Sequence, residues 1–417
     1  MNKKNLFIIG SRQSRDLLNY FDNHSDKYNL GIIIDLQDKP SKSLEDNYKI
    51  LRLDMSSKKA LFKNLKEHPN LKIDLTIARY ENYVIQNTWI CEYFNIPYFS
   101  ERTAIVSRDK YLMRKAFQKK YPEITPTFRV VKNLKEAEEF VSKTGFPVML
   151  KPTNFAKSLL INKNTNLIDL KKKFEYMQKA IPEIRKRYKY NDLETEIIIE
   201  EYIEGSKHSI QAFTDSVGNV YNTPIVDILN AEDVGWDDSF QYSRTLPTSL
   251  NASQIQEINT AAQKGVKALG LTNSAAHIEI ILTKENKAKI IEIGARMGGY
   301  RPKIYRYSYN LDLNGLEISC QSGAIGEEFP NNIQFKAYCR AYEIFPNETM
   351  QFTKIIGEDV LKKSNSVIYY NLKATEGETV GMAKDGFKAC VVIMICAKSK
   401  SEFNNINNYI ENNVRVG

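Results

Sequence analysis

The first hundred residues alternate short apolar runs with amphipathic segments. The apolar runs predict β-strands at residues 5–10, 30–35, 71–78 and 96–99, and helical spacing predicts helices at 14–21 and 85–94. Strands that alternate with helices indicate a parallel sheet, so residues 1–104 are predicted to form an open α/β domain. Its first turn has a single glycine, Gly10, and lacks the spaced glycines that let a backbone approach a pyrophosphate. Dinucleotide binding is therefore not expected.

The rest of the chain follows a mixed pattern. After about residue 107, helices are predicted at 109–119, 134–144, 167–188 and 252–269. Strands are predicted at 146–152, 196–203, 210–213, 221–228, 276–282 and 289–293. Residues 331–417 are β-rich and end in a helix at about 402–411. The predicted fold class is therefore α/β at the N-terminus and α+β after it.

Two glutamates share one face of a predicted β-hairpin. If the turn is centred on residues 285–286, antiparallel counting places Glu279 directly opposite Glu292, with His277 and Arg296 on the same face. Like charges at opposed positions repel each other, and a divalent cation between the two carboxylates removes the repulsion. The alternative is a pair of solvated glutamates on an edge strand. The arginine and the residues upstream favour the cation site.

Composition limits the class of protein. The chain has 417 residues, 42% of them hydrophobic and 26% charged, which is typical of a soluble globular protein of two to four domains. No apolar run approaches the roughly 18 residues of a membrane span. The five cysteines are scattered, so no zinc ribbon or disulfide framework is expected, and a reducing cytoplasm fits. The net charge of +9 is spread along the chain, so nucleic-acid binding is not favoured.

Two lysines precede the hairpin on other elements. Lys110 lies near the start of a basic helix, and Lys151 ends an apolar strand before Pro152, an unusual place for a solvated side chain. Taken singly, each lysine is typical of a protein surface. Mg²⁺ binds few protein carboxylates and completes its octahedron with phosphate oxygens, on which lysines act as point charges. Phosphate groups with Mg²⁺ would therefore account for both lysines and both glutamates.

The order of these motifs resembles the ATP-grasp superfamily of carboxylate–amine ligases, especially its L-amino acid ligase branch. The matching segments are residues 108–110, 147–152, 200–205, 277–279 and 291–299, and the resemblance covers most of the chain. It implies that ATP lies between two lobes of a domain at 105–330. The small lobe is expected at about 130–205, with the large lobe formed by the remainder. A small β-rich C-terminal domain is expected at 331–417.

The resemblance also implies a role for each matching residue. The implied ATP-binding residues are Lys110 and Lys151 at the phosphates, Lys157 and Ser158 in the phosphate-covering loop, Glu200, Glu201 and Ile203 around the adenine, and His208 near the ribose, with Lys207 as a weaker alternative. The implied metal ligands are Glu279 and Glu292, for Mg²⁺ or Mn²⁺. Arg296 and His277 would be catalytic, and Gly298, Gly299 and Arg301 would bind substrate.

Three features depart from the family pattern. Gly294 stands where the family usually has an asparagine, so one metal ligand is missing or replaced by water. The loop at residues 153–160 contains no glycine, which makes backbone cradling of phosphates less easy. The basic residues Arg301 and Lys303 follow the double glycine and either bind a second carboxylate of the substrate or face solvent.

The resemblance implies an enzyme that joins a small carboxylate to a small amine. ATP would phosphorylate the carboxylate, and the amine would attack the acyl-phosphate to give an amide or peptide bond, with amino acids as the first-choice substrates. The alternatives are a purine-biosynthesis type of ligase, a carboxylase that activates bicarbonate, and a catalytically silent ATP-binding protein. A homodimer is expected, and no binding to a membrane is expected.

Overall fold

The N-terminal region of the computed structural model is an α/β unit built on a parallel sheet, as the sequence predicted. The structure describes residues 3–11, 13–155, 159–188, 193–238 and 240–417. The strands of this sheet are β1 (Lys4–Ile9), β2 (Tyr28–Asp35), β3 (Lys49–Leu53) and β4 (Leu75–Ala78), in the order β3-β2-β1-β4. The helices are α1 (Arg15–Asp22), α2 (Lys42–Asn47), α3 (Lys58–Lys66) and α4 (Val84–Phe94).

Two helices lead from this unit into a small α+β lobe. They are α5 (Glu101–Arg108) and α6 (Lys110–Lys120), separated by Asp109, whose carboxylate caps α6 by accepting from Leu112 N at 2.9 Å. The lobe contains β5 (Phe128–Val131), α7 (Leu134–Thr144), β6 (Val148–Pro152), β7 (Asn162–Asn164), α8 (Leu167–Tyr188) and β8 (Ile197–Glu201). Its antiparallel sheet has the order β5-β8-β6-β7.

A long antiparallel sheet forms the large lobe and continues into the C-terminal region. The large-lobe elements are β9 (Ser206–Thr214), β10 (Val220–Asn222), β11 (Val226–Asn230), β12 (Gln241–Leu246), α9 (Ala252–Leu269), β13 (Ala275–Leu282), β14 (Ala288–Gly294), α10 (Arg301–Tyr309), α11 (Leu313–Ser322) and α12 (Ile325–Glu328). The remaining elements are β15 (Tyr338–Ile344), β16 (Met350–Gln351), β17 (Ile355–Ile356), α13 (Glu358–Lys363), β18 (Val367–Leu372), β19 (Thr379–Val380), β20 (Val391–Ala397), α14 (Lys400–Asn413) and β21 (Arg415–Val416).

The pairing of β12 with β15 joins the two regions into one sheet, in the order β14-β13-β9-β11-β12-β15-β20-β18. The domain boundary proposed at residue 331 therefore divides one sheet between two regions. C-terminal residues can consequently reach the large-lobe strands directly.

Two strand predictions were wrong, and a proline lies in each segment. Residues 96–99 form no strand, because Pro97 has no N–H for a ladder hydrogen bond. The strand predicted at 221–228 is split into β10 and β11 around Pro224. By contrast, the predicted bounds of α7, α8 and α9 match the structure.

The sequence indicated no disulfide framework, but the structure contains one disulfide among the described residues. Cys339 on β15 and Cys396 on β20 are direct partners across the strand pair and are joined as a disulfide. They lie 57 positions apart, so only the strand register brings them together. Cys91, Cys320 and Cys390 are free and buried. None of the helices in the described ranges combines the length and apolarity that a bilayer crossing requires.

The N-terminal unit packs firmly on the large lobe and so supports one side of the site. The Arg79 guanidinium lies 2.6 Å from the Glu317 carboxylate on α11. The Gln321 side chain accepts from Thr76 N and donates to Thr76 O, each at 2.9 Å. One apolar core continues from the N-terminal sheet through α6 and α9 to the β13–β14 hairpin.

Candidate active site

The two metal-type carboxylates face each other in the β13–β14 hairpin. Glu279 is the direct cross-strand partner of Glu292, as the sequence predicted. The turn is centred on Glu285, because Leu282 pairs with Ala288, and a bulge after Glu279 shifts the register by one residue. The predicted pairing is thus correct, although the prediction placed the turn half a residue too late and did not include the bulge. The two errors compensate each other. The side chains are 32% and 34% exposed, respectively, so a ligand can reach both.

Lys110 connects the hairpin to the small lobe. Its ammonium donates to Glu292 Oε1 at 3.1 Å and to the Phe155 carbonyl at 2.8 Å, and its backbone N–H donates to Thr153 O at 2.6 Å. The residue is only 3% exposed. The structure therefore brings together the first predicted phosphate lysine, one metal-type carboxylate and the start of the predicted phosphate loop. Lys157 and Ser158 of that loop lie outside the described residues.

Lys151 lies in a buried group that we call the Glu200 cluster, formed by Arg114, Lys151 and Glu200. The Glu200 carboxylate accepts from Lys151 Nζ and Arg114 Nε, each at 2.7 Å, and from Arg114 Nη2 at 3.4 Å. Burial by itself would raise the pKa of Glu200, but the two cations lower it to about 2. Arg114 also donates to Ile291 O at 2.7 Å. The carboxylate thus joins α6, β6 and β8 and orients Lys151, and Arg114 links this group to the hairpin.

Sequence reasoning missed Arg114, although a signal was present. It follows Lys110 by four residues on α6, so the two cations lie on the same face of one helix. The predicted adenine contact of the Glu200 side chain remains a prediction, since its carboxylate is occupied by internal partners.

Arg296 is held by a carboxylate from the N-terminal unit. Its Nη2 lies 2.7 Å from Glu81 Oε1, and its Nη1 donates to Met297 O at 3.0 Å. A Cβ atom at Gly294 would lie 2.6 Å from Glu81 Oε1. Glu81 therefore fills the space beside Gly294, where the family pattern has an asparagine. Burial would raise the pKa of Glu81, but Arg296, Arg108 and Lys110 together lower it, so Glu81 is ionised. Glu81 lies far away in sequence, and no motif marked it.

His277 belongs to a second polar group, the Glu279 cluster, formed by Gln211, Gln241, Arg244, His277 and Glu279. Gln211 accepts from Gly298 N at 2.9 Å and pairs with His277 Nδ1 at 2.8 Å. Since the Gln211 carbonyl accepts, its amide donates to Nδ1, which leaves the His277 proton on Nε2, 3.4 Å from Glu279 Oε1. Burial lowers the pKa of His277 to about 4, so the ring is neutral near pH 7. His277 thus lies between the glycine turn and Glu279, and its predicted catalytic role stays a prediction.

The other side of Glu279 is linked to the C-terminal region. Gln241 donates to Glu279 Oε1 at 2.7 Å and accepts from Arg244 Nε at 3.0 Å. Arg244 Nη2 lies 2.8 Å from Glu343 Oε2 on β15. Burial would raise the pKa of Glu279, but the His277 hydrogen bond and the positive charge of Arg301 lower it to about 2. Sequence reasoning missed Gln241 and Arg244 because β12 carries no motif.

The remaining predicted ATP-binding residues lie near the lobe junction. His208 is buried, and its two ring nitrogens contact Asp227 at 2.9 Å and Ser206 at 2.7 Å, so its predicted ribose contact stays a prediction. Glu201 accepts from Thr127 N at 2.9 Å. Ile203 is half-buried just after β8.

The predicted substrate residues follow the hairpin. A Cβ atom at Gly298 would meet His277 Nδ1 at 2.6 Å, so this turn needs glycine, whereas Gly299 borders open space. Arg301 is 1% exposed, which excludes the solvent-facing alternative in this conformation. Lys303 is instead paired with Asp16 at 2.9 Å.

The arrangement suits phosphate chemistry. Opposed carboxylates within reach of a ligand are oxygen donors of the kind that Mg²⁺ prefers, and Lys110 already shares Glu292. Arg296 lies on the strand exit beyond them. The residues present therefore fit a divalent cation with a phosphate-bearing ligand.

Comparison with known proteins agrees with this geometry. Residues 144–303 match the family model of the ATP-grasp domain. The alanine–anticapsin ligase of Bacillus subtilis (strain 168) is 25% identical over 67% of this chain and 60% of that protein. That of Bacillus amyloliquefaciens is 23% identical over 55% of this chain and 49% of that protein. The chain thus matches about half to three-fifths of the length of these curated relatives.

Solved structures share the fold over nearly the whole chain. The L-amino acid ligase from Bacillus licheniformis has a TM-score of 0.85 at 18% identity and covers 100% of this chain and 98% of its own. The phosphoribosylglycinamide synthetase from Anaerococcus prevotii has a TM-score of 0.68 at 19% identity, with 100% of both chains covered. At these identities the likeness shows the fold.

Proposed function

The chain contains an ATP-grasp domain, and on this premise we propose that it is an ATP-dependent ligase that forms an amide or peptide bond. ATP transfers its γ-phosphoryl group to the carboxylate of one substrate, which releases ADP and leaves an acyl-phosphate. The amine of the second substrate attacks the acyl carbon, phosphate leaves, and the amine loses a proton. Enzymes of this kind work by positioning and electrostatics, without a covalent enzyme intermediate.

The single observation that carries the proposal is the opposed pair Glu279 and Glu292, with Lys110 3.1 Å from Glu292 Oε1. Two carboxylates on directly opposed positions repel each other unless cations compensate them. One lysine compensates one carboxylate, and a bound Mg²⁺ would compensate both while neutralising charge on the phosphate oxygens of ATP. Glu279 and Glu292 are the residues that would hold the metal.

Each neighbouring residue has a chemical task in the proposal. Lys110 and Lys151 would act as point charges on the phosphates, and the Glu200 cluster keeps Lys151 in place. Arg296, fixed by Glu81 at 2.7 Å, would stabilise negative charge on the acyl-phosphate or on the tetrahedral intermediate. Neutral His277 would keep Glu279 and the Gly298 turn in register.

Amino-acid-type substrates are the first choice for both partners. The names of the relatives, alanine–anticapsin ligase and L-amino acid ligase, support this choice. A purine-type ligase and a bicarbonate-activating carboxylase share the fold and remain alternatives for the test. A homodimer is part of the proposal and is tested by light scattering.

The test is release of ADP and phosphate from MgATP by the purified protein, challenged with pools of amino acids, other small carboxylates and bicarbonate. We expect release that requires one acid together with one amine. Release with bicarbonate alone would favour the carboxylase, and no release with any pool would contradict a ligase.

A variant pair tests the metal assignment. Glu292→Gln should abolish ADP release, because the amide binds Mg²⁺ poorly and no longer attracts Lys110. Glu285→Gln, exposed in the turn of the same hairpin, should retain activity and serves as the control. Full activity of Glu292→Gln would overturn the metal assignment.

A further inference from the structure

Arg301 is a buried cation that no carboxylate contacts directly, although the negative charges of Glu279 and Glu343 act on it. Among the described residues, no carboxylate lies within ion-pair distance of its guanidinium, which is 1% exposed. Its Nη2 donates to Ser209 Oγ at 3.0 Å, but its Nε and Nη1 have no hydrogen-bond partner. A buried charge left unpaired is strongly unfavourable, so a position of this kind requires a reason outside the stability of the fold.

Other buried or half-buried arginines of the described chain are paired, which makes the contrast informative. Buried Arg114 lies 2.7 Å from Glu200, and half-buried Arg79 and Arg296 lie 2.6 Å from Glu317 and 2.7 Å from Glu81. The fold therefore supplies a carboxylate to the guanidinium at these positions. At Arg301 it supplies a serine hydroxyl.

A second arginine adds positive charge to the same place. Arg244 is 7% exposed, and its Nη1 also lacks a hydrogen-bond partner although its Nη2 is paired with Glu343. Burial and the nearby charge of Arg244 lower the pKa of Arg301 to about 10, so Arg301 stays cationic near pH 7. Lys373, from the C-terminal region, donates to the Tyr300 hydroxyl at 2.9 Å, and its ammonium lies 5.6 Å from the centre of the Tyr300 ring. The Arg244 guanidinium lies 5.9 Å from the centre of the same ring. Cations from three segments thus converge beside the Glu279 cluster.

We propose that Arg244 and Arg301, the arginine pair, form a subsite for the side-chain carboxylate of an acidic substrate, distinct from the carboxylate that ATP activates and from any other α-carboxylate. The inference rests on the proposed ligase function and specifies its substrate class. The planar fork of a guanidinium matches a carboxylate in two-point geometry, and an incoming carboxylate supplies the acceptors that Nε and Nη1 of Arg301 lack.

The turn before Arg301 provides the route to the arginine pair. The unpartnered atoms are closed to solvent in this conformation, so a carboxylate reaches them only when a neighbouring segment moves. Gly299 borders open space, and Tyr300 holds a φ of 59°, a left-handed conformation that is rare for an aromatic residue. We assign this turn as the cover of the subsite.

Binding without turnover gives the first test. Glutarate, a dicarboxylate without an amine, is titrated by calorimetry into the full chain in the presence of MgADP, with butyrate and inorganic phosphate as parallel probes. We expect glutarate to bind about 10- to 100-fold more tightly than butyrate, and Arg301→Gln to remove the difference, as loss of a hydrogen bond to a charged group predicts. Arg306→Gln, exposed on the same helix, should keep it. Equal binding of glutarate and butyrate would overturn the proposal, and tighter binding of phosphate would replace the carboxylate with a phosphate group.

Turnover separates this inference from the ligase proposal. ADP release is compared for glutamate against glutamine and for aspartate against asparagine, each offered as the acid and as the amine. The inference predicts that the KM is about 10- to 100-fold lower for the acidic member of each pair, in one of the two roles, while kcat changes less. This difference in KM should be lost in Arg301→Gln and partly restored in Arg301→Lys. ADP release that ignores the second carboxylate would contradict the subsite but not the ligase. No release with any substrate would contradict the ligase, and the calorimetry would then decide the subsite alone.

Stability of the ligand-free chain distinguishes a binding arginine from a structural one. Because the guanidinium has no carboxylate partner, Arg301→Met should leave the melting temperature unchanged or raise it. A marked fall in the melting temperature of Arg301→Met, together with unchanged glutarate binding by Arg301→Lys, would mean that Arg301 is a structural residue.

Discussion

The Glu200 cluster and the Glu279 cluster use the same kinds of residue for opposite purposes. In the Glu200 cluster one carboxylate accepts from two cations at 2.7 Å, and all three side chains are at most 6% exposed. In the Glu279 cluster the central carboxylate is 32% exposed, faces a second carboxylate, and is flanked by arginines with unpartnered N–H groups. A polar group whose hydrogen-bond donors and acceptors are all paired within the protein stabilises the fold. A polar group with unpaired donors or acceptors is available to a ligand. Substitution of Glu200 should therefore reduce stability above all, whereas substitution of Glu279 should reduce activity above all.

The largest effect is expected from Glu200→Gln. The change leaves Lys151 and Arg114 buried without a counter-charge, so the free energy of unfolding should fall by about 3–5 kcal/mol. Urea unfolding followed by circular dichroism measures it. Glu196→Gln, exposed just before β8, is the matched control and should change stability by less than about 0.5 kcal/mol. Equal stability of the two variants would show that the Glu200 cluster does not hold the lobes together.

Glu279→Gln should show the reverse behaviour. The amide can still accept from Gln241 and His277, and the side chain is 32% exposed, so stability should fall by less than in Glu200→Gln, but the charge that would hold a cation is lost. We expect ADP release to fall by about 100- to 1,000-fold, the range found when one electrostatic element of an active site is removed. Steady-state kinetics at saturating Mg²⁺ checks it. If Glu279→Gln were active but unstable, the Glu279 cluster would be the structural one, contrary to this comparison.

A double-mutant cycle of Gly294 and Glu81 tests the role of the Glu81 carboxylate in the site. Gly294→Ala would place a methyl group 2.6 Å from Glu81 Oε1 and push that side chain away from Arg296. We expect kcat/KM to fall about tenfold, within the range of interaction energies between touching residues. In a Glu81→Ala background the same change should have little further effect, because the obstructing atom is gone. Additive losses would show that Glu81 and Gly294 act independently.

The smallest effect is a pH dependence confined to acid conditions. The pKa of Glu200 is lowered from 4.5 to about 2 in the folded chain, so its ionised form stabilises the fold above pH 4.5. That contribution should shrink as the pH falls from 4.5 towards 2. The stability difference between the wild-type chain and Glu200→Gln should therefore narrow over this interval and stay constant from pH 5 to 7. A difference that persists unchanged at pH 3 would contradict the lowered pKa.

The sequence by itself determined the local elements and the central carboxylate pair. Helical periodicity gave the bounds of α7, α8 and α9, because it depends on residues close together in the chain. Antiparallel counting across the turn gave the pairing of Glu279 with Glu292, where the turn shift and the bulge offset each other. The family motifs likewise lie within short segments. Proline is where local reasoning failed, since the missing N–H of Pro97 and Pro224 matters only through the neighbouring strand.

Only the tertiary structure decided which distant residues complete the site. Glu81 comes from the N-terminal unit, Arg244 from β12, and Glu343 from a strand predicted to belong to a separate domain. The Cys339–Cys396 disulfide has the same origin in strand register. These contacts depend on how sheets and domains pack, and no short-range pattern records the packing. Whether a buried charge such as Arg301 is paired is likewise a property of its three-dimensional surroundings, and that property distinguishes a structural arginine from a binding one.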